Sequence, residues 1–254
     1  MSFFMKARPA LSKETAGLSR DTLKKLALFT MLLDHIGVVV LYPWISIRRD
    51  IMTVTQQQFW NLSYFSLRTI GRIAFPIFAF FLVEGFFYTR DKKRYFMRLF
   101  GMALLSEIPF NLAVSDSFFM PSHQNTLFTL ALGLLLLECL SRWRAPNVLQ
   151  MCLLVLFALA AIVLRLDYAA YGIVLIVIFY WFHADKKACM SFGAVLSFAD
   201  SMRNLGAAAL AYIPLSLYDR KKQPNKKGAW MFYVFYPAHL LVLYGIRLLV
   251  CKPA

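Results

Sequence analysis

At 254 residues, 60% hydrophobic and with a mean hydropathy of +0.59, the chain is too apolar for a soluble domain of its size. Its net charge of +15 would suit a nucleic-acid binder, but the basic residues fall in short segments between apolar runs, the pattern that orients membrane helices. Nucleic acid is therefore excluded as a partner, and the lipid bilayer takes its place. The four cysteines, Cys139, Cys152, Cys189 and Cys251, are scattered without metal-ligand or disulfide-framework spacing, so no metal is expected. The first apolar run follows about twenty mostly polar residues and lacks a small-x-small cleavage site, which argues against a signal peptide.

The hydropathy pattern predicts an all-α, polytopic transmembrane bundle of about nine spans. In chain order these lie near 24–43, 68–88, 95–114, 124–141, 148–165, 168–183, 187–200, 203–218 and 230–250. The sixth to eighth are short and suit tilted or half-inserted helices. Residues 1–23 read as a cytoplasmic N-terminal segment and 24–250 as one transmembrane domain. With the N-terminus inside, 20 of the 28 Lys and Arg residues fall on the inner side and 8 on the outer side or outer half. That asymmetry predicts a cytoplasmic N-terminus, a polar outer loop at 46–66 carrying Gln56, Gln57, Gln58 and Asn61, and an inner loop at 89–94. Multi-pass insertion in the plasma membrane follows.

The first span contains Asp34 and His35 within an otherwise apolar run. Burying an ionisable pair at membrane depth is costly, which marks the pair as a candidate site. His35 follows the boundary residue Lys24 by eleven positions, roughly 16 Å at 1.5 Å per residue, and so lies near the midplane. Asp34 points about 100° away from it, so either residue is free to be oriented by another helix. A structural histidine bridging two helices is the bland alternative.

Other spans bring polar groups toward the same depth. Arg72 lies in Gly71-Arg72-Ile73-Ala74-Phe75-Pro76. Glu107 and Asn111 flank Pro109, and Asn125 opens the fourth span. Asp167, Tyr168 and Tyr171 open the sixth, and His239 lies in the last. Together they read as a lined cavity. Glu84, beside Gly85 near the inner end of its span, needs a partner, whereas the Phe75–Phe87 run reads as packing and His123 and His183 as solvated loop-edge residues. The inner segment Arg90, Lys92, Lys93, Arg94, with Arg98 one turn later, is the densest basic patch beside the membrane. It reads as a topology anchor or as a clamp for a phosphate-bearing ligand.

Taken in order, several motifs resemble the TraX family, named for a conjugative F-pilin acetylase. They are Lys24-x10-His35, Gly71-Arg72-Ile-Ala-Phe-Pro76, Glu84-Gly85-Phe86, Arg94-Tyr95-x-x-Arg98, Ile108-Pro109-Phe110-Asn111, Asp167-Tyr168-x-x-Tyr171-Gly172 and Tyr236-Pro237-x-His239. That family in turn resembles transmembrane acyltransferases of the acyltransferase-3 and heparan-glucosaminide acetyltransferase type, which share a basic-x10-His feature. The resemblance implies transfer of an acetyl group from cytosolic acetyl-CoA to an extracytoplasmic acceptor, a peptide or protein amine or a glycan. The residues suit that chemistry. His35 serves as base or nucleophile at the thioester, with Asp34 supporting it and His239 as the other histidine at depth. Arg72 or Asn125 serves as oxyanion donor. Lys24, Arg90, Arg94 and Arg98 bind the CoA phosphates, and Glu107, Asn111, Asn125, Asp167, Tyr168 and Tyr171 line the acceptor cavity. A proton-coupled transporter or channel is the competing reading, since buried ionisable groups also build proton relays. A non-catalytic membrane assembly factor is the third.

Overall fold

The computed structural model describes residues 17–143, 147–222 and 231–251, and the regular structure among them is entirely helical apart from two isolated bridges. Of the segment read as 1–23, residues 1–16 lie outside the described residues. So do Arg144, Lys226, Lys227 and Lys252 of the charge count, and residue 230 of the last expected span.

Helix α1 (Arg20–His35) runs on through a π-helical turn (Ile36–Leu41) into α2 (Tyr42–Arg48). The π-turn closes with the Tyr42 N–H reaching back five residues to the Gly37 carbonyl, directly before Pro43, which has no N–H to donate. The chain turns at 49–53 into α3 (Val54–Gly71), breaks at Arg72 and Ile73, and resumes as α4 (Ala74–Tyr88). Then follow α5 (Lys92–Ser115), α6 (Thr126–Leu140), α7 (Val148–Val163), α8 (Ala169–Trp181), α9 (Lys186–Asp200), the short α10 (Tyr212–Ser216) after two 3-10 turns, and α11 (Met231–Val250).

The starts of these helices are written in the sequence. Ser19, Thr53, Asp91, Asn125, Asn147 and Asp185 each accept a backbone N–H from the first turn that follows. Thr53 and Gln56 form a reciprocal capping box, and this corrects the expected loop at 46–66. That segment is the end of α2, a tight turn and the first turns of α3. Its glutamines are helix-surface residues.

Among the described residues, four helical stretches are long and apolar enough to cross a membrane: Arg20–Ile51, Val54–Tyr88, Lys92–Ser115 and Tyr233–Val250. Helices α6, α7, α8 and the 207–216 stretch are apolar but shorter. The nine expected spans are thus not nine long crossings: the first and second are parts of longer stretches, α9 falls in neither group, and 203–218 is two 3-10 turns and the short α10. Helix α4 is the axle of the bundle. It is buried on nearly every face and packs against α1, α6 and α8, while α11 packs chiefly on α5. Helix α7 instead exposes Val155, Leu156, Leu159 and Ile162, an apolar face suited to lipid.

Two apolar clusters divide the interior. The larger gathers around α4, α6 and α8. The smaller joins Met31, Val39, Ala74, Phe110, Tyr236 and Leu240, where α1, α5 and α11 meet. His35 and Arg72 lie near the middles of the two longest stretches, 32 and 35 residues, so the packing of α1 on α3 and α4 brings them to one level.

Candidate active site

His35 is the last residue before the π-helical turn, and π-turns recur at functional sites because they re-aim the side chains around them. Its ring meets that of His239 on α11, with His35 Nδ1 2.9 Å from His239 Nε2. His239 Nδ1 lies 2.7 Å from the Phe235 carbonyl, which can only accept. The tautomers of a neutral pair follow. His239 donates from Nδ1 and accepts at Nε2, so His35 donates from Nδ1 and keeps its Nε2 lone pair free. Tyr236 stands edge-on to His35 at 6.2 Å between ring centroids. Its buried hydroxyl lies near Thr126.

Asp34 faces elsewhere. Its carboxylate pairs with Arg68 at 2.5 Å, so the partner is Arg68 on α3 and not Arg72 or His35. Gly71 makes the packing possible, since a Cβ there would collide with the Asp34 side chain. Arg72 caps the C-terminus of α3 at the helix break. Its guanidinium lies 5.9 Å from the Tyr168 ring, and its buried Nε has no hydrogen-bond partner. Tyr168, at a positive φ of 61°, stacks on Phe75 at 3.9 Å. Asp167 accepts from the Thr126 hydroxyl at 2.5 Å and from the Tyr168 N–H at 3.1 Å, and lies 3.7 Å from His123 Nε2.

Three cavities meet this cluster. A cleft of about 330 Å³ opens at the basic end of the bundle between Arg20, Lys24, Arg98, Tyr88 and Tyr233, and runs inward to Phe78 and Tyr236. A small space of about 40 Å³ lies beyond Phe78, against His35 and Asp34. A chamber of about 90 Å³ continues from His35 and Asp34 to Arg68, Arg72, His123 and Asp167. Phe78 lines both the cleft and the small space, and His35 lines both the small space and the chamber.

Several sequence expectations change. Arg90 and Arg94 do not line the cleft; Arg94 is exposed and bonded to its own helix cap, Asp91. Arg98 and Lys24 do line it, joined by Arg20, whose buried Nε is unpartnered. Asn125 is not a free oxyanion donor. Its amide donates to Glu107 at 2.6 Å and to the Ala103 carbonyl at 2.9 Å, and its oxygen caps α6. Glu107 is occupied in the same contact. Asn111 donates to the Phe118 carbonyl, and Tyr171 joins Ser197 and Tyr212 in a buried chain of hydroxyls. These four support the bundle, and only Asp167 and Tyr168 of the expected acceptor residues line the chamber.

His123 and His183 are not merely solvated. His123 lines the chamber. His183 stacks on Phe87 at 3.9 Å and touches Glu84 at 2.9 Å, while Arg220 reaches Glu84 at 2.5 Å. Burial works against the Arg220 charge, but the bond to Glu84 more than offsets it and raises the guanidinium above the ordinary arginine value. Arg68 was missed as a site residue because a charge near a span end reads as an anchor. The spacing of Arg68 and Arg72, one helical turn apart, was the available signal.

A family model described as TraX protein matches residues 19–247. The chain belongs to the TraX family. A similar curated protein is the probable fimbrial assembly protein FimC, serogroup H1, of Dichelobacter nodosus. It is 28% identical over 251 residues, covering 89% of this chain and 94% of that one. No solved structure matches. The matched span runs from the Ser19 cap of α1 to Arg247 of α11, so this TraX-family chain carries both histidines, the cleft and the chamber within it.

Proposed function

We propose that this protein is a multi-pass acyltransferase of the cytoplasmic membrane that moves an acetyl group from cytosolic acetyl-CoA to an acceptor at the outer face. The observation that carries the reading is His35, whose Nδ1 is taken by His239 and which lines both the polar chamber and the small space that shares Phe78 with the basic-mouthed cleft. Arg20, Lys24 and Arg98 at the mouth suit the phosphates of CoA, and the apolar run down to Phe78 suits its pantetheine arm. The wider likeness to acyltransferase-3 and heparan-glucosaminide acetyltransferase proteins belongs to the same reading.

In the proposed step the acceptor amine or hydroxyl attacks the thioester carbonyl and passes its proton to His35 Nε2. The Arg72 guanidinium stabilises the oxyanion. The C–S bond then breaks, and the leaving thiolate takes the proton from His35 to depart as free CoA. His239 is a positioning residue that fixes the tautomer. An acyl-histidine route is the variant in which Nε2 attacks directly, and it differs in showing acetyl exchange without acceptor.

The test is thiol release from acetyl-CoA by the purified protein, with exported proteins and surface glycans offered as acceptors and acetylation read by mass spectrometry. Acetyl-CoA that neither binds nor turns over would end the reading. The orientation is tested by single cysteines at Gln57 and Lys93, which should label from opposite sides with an impermeant reagent. The relative's name favours a second reading, assembly of a surface fibre without catalysis; it predicts loss of fibres with no loss of any acetyl label. The broken α3–α4 helix with Arg72 at the break favours a third, a transporter, which predicts uptake in liposomes.

A further inference from the structure

The geometry points to an upper limit on the size of the transferred acyl group, set by Phe78 and Ala74 of α4. This deepens the acyltransferase reading and rests on it. The space between Phe78 and His35 has a volume of about 40 Å³. Each water-sized occupant needs about 10–15 Å³, so the space takes about three non-hydrogen atoms, the size of an acetyl group.

A longer acyl chain has two ways to go, and both are unfavourable. One is into the walls. Ala74 and Phe75 are buried, with the close-packed α4 core behind them, and Phe75 is pinned by its stack on Tyr168. Extra methylenes there force strain on a packed core. The other is onward past His35 into the chamber of Arg68, Arg72, His123 and Asp167, where hydrocarbon would displace water from charged groups and occupy the acceptor's place. Ala74 and Phe78 are four residues apart and share one face of α4, so together they set the depth of the space.

The test is thiol release from acetyl-, butanoyl- and hexanoyl-CoA, alongside the binding of each to the purified full-length protein. Wild type should favour acetyl- over butanoyl-CoA in kcat/KM by a factor on the order of tenfold or more, the usual discrimination of a pocket against added methylenes. Phe78→Ala should bring the two within a few-fold of each other by raising the butanoyl rate. Phe78→Leu, which keeps most of the packing, should do so more weakly. Ala74→Val should lower turnover of acetyl-CoA more than its binding, because the thioester no longer reaches His35. Equal wild-type rates with acetyl- and hexanoyl-CoA would overturn the size limit and leave the acyltransferase reading standing. Absence of binding to every acyl-CoA would remove both.

Discussion

Two histidines in this protein, one partly buried and one buried, have different surroundings. His183 turns Nε2 to Glu84 and Arg220 and lays its ring on Phe87. His35 has Nδ1 bonded to His239 and lines a cavity. A histidine held by a buried carboxylate and an arginine ties helices together, whereas one held by a second imidazole beside an empty space is the better candidate for proton transfer.

The largest effect expected from breaking this contrast is on stability at the closed cluster. Arg220→Ala leaves the Glu84 carboxylate buried with only His183 beside it and should cost about 3 kcal/mol. Glu84→Ala should cost less, because the half-exposed Arg220 can return to water. Thermal survival of the two variants in detergent measures the order. If Arg220→Ala survives heating as wild type does, the cluster is not a structural tie.

The open histidine should respond in rate instead. His35→Ala should lower turnover by a factor on the order of 10² or more while acetyl-CoA binding persists. Full turnover in that variant would move the chemistry to another group. His239 sharpens the contrast, since in the proposed acyltransferase it acts through its bond to His35. His239→Ala should cost about tenfold, the size common for loss of a histidine's orienting partner. His239→Gln should recover much of it, because a side-chain carbonyl can still accept from His35 Nδ1. Equal losses in the two variants would mean that His239 serves packing alone.

The smallest contrast lies between two arginines one turn apart on α5. Arg98→Ala should raise KM for acetyl-CoA several-fold with little change in kcat, as loss of one charged contact predicts. Arg94→Ala, whose guanidinium is exposed and bonded to Asp91, should leave KM unchanged. Equal shifts in KM would place the phosphates outside the cleft.

The sequence by itself determined the helices and where most of them begin. Period and hydropathy set the apolar runs, and Ser, Thr, Asp or Asn at the caps set the starts, because both depend on residues within a few positions of each other. It also singled out His35, His239, Arg72, Asp167 and Tyr168, since polar groups in apolar runs are visible without coordinates. The helix start at Thr53 was legible too, in its capping box, but the run of glutamines after it read as a loop.

Tertiary structure alone decided the partners. Asp34 and Arg68 are separated by 34 positions, His35 and His239 by 204, and Glu84 and Arg220 by 136. No local period encodes contacts of that range, which depend on how α1, α3, α4 and α11 cross. Packing likewise gave Asn125 and Glu107 to each other and left the buried Nε of Arg72 without a hydrogen bond among the described residues, because a polar side chain's role depends on which of its hydrogen bonds its neighbours have already filled.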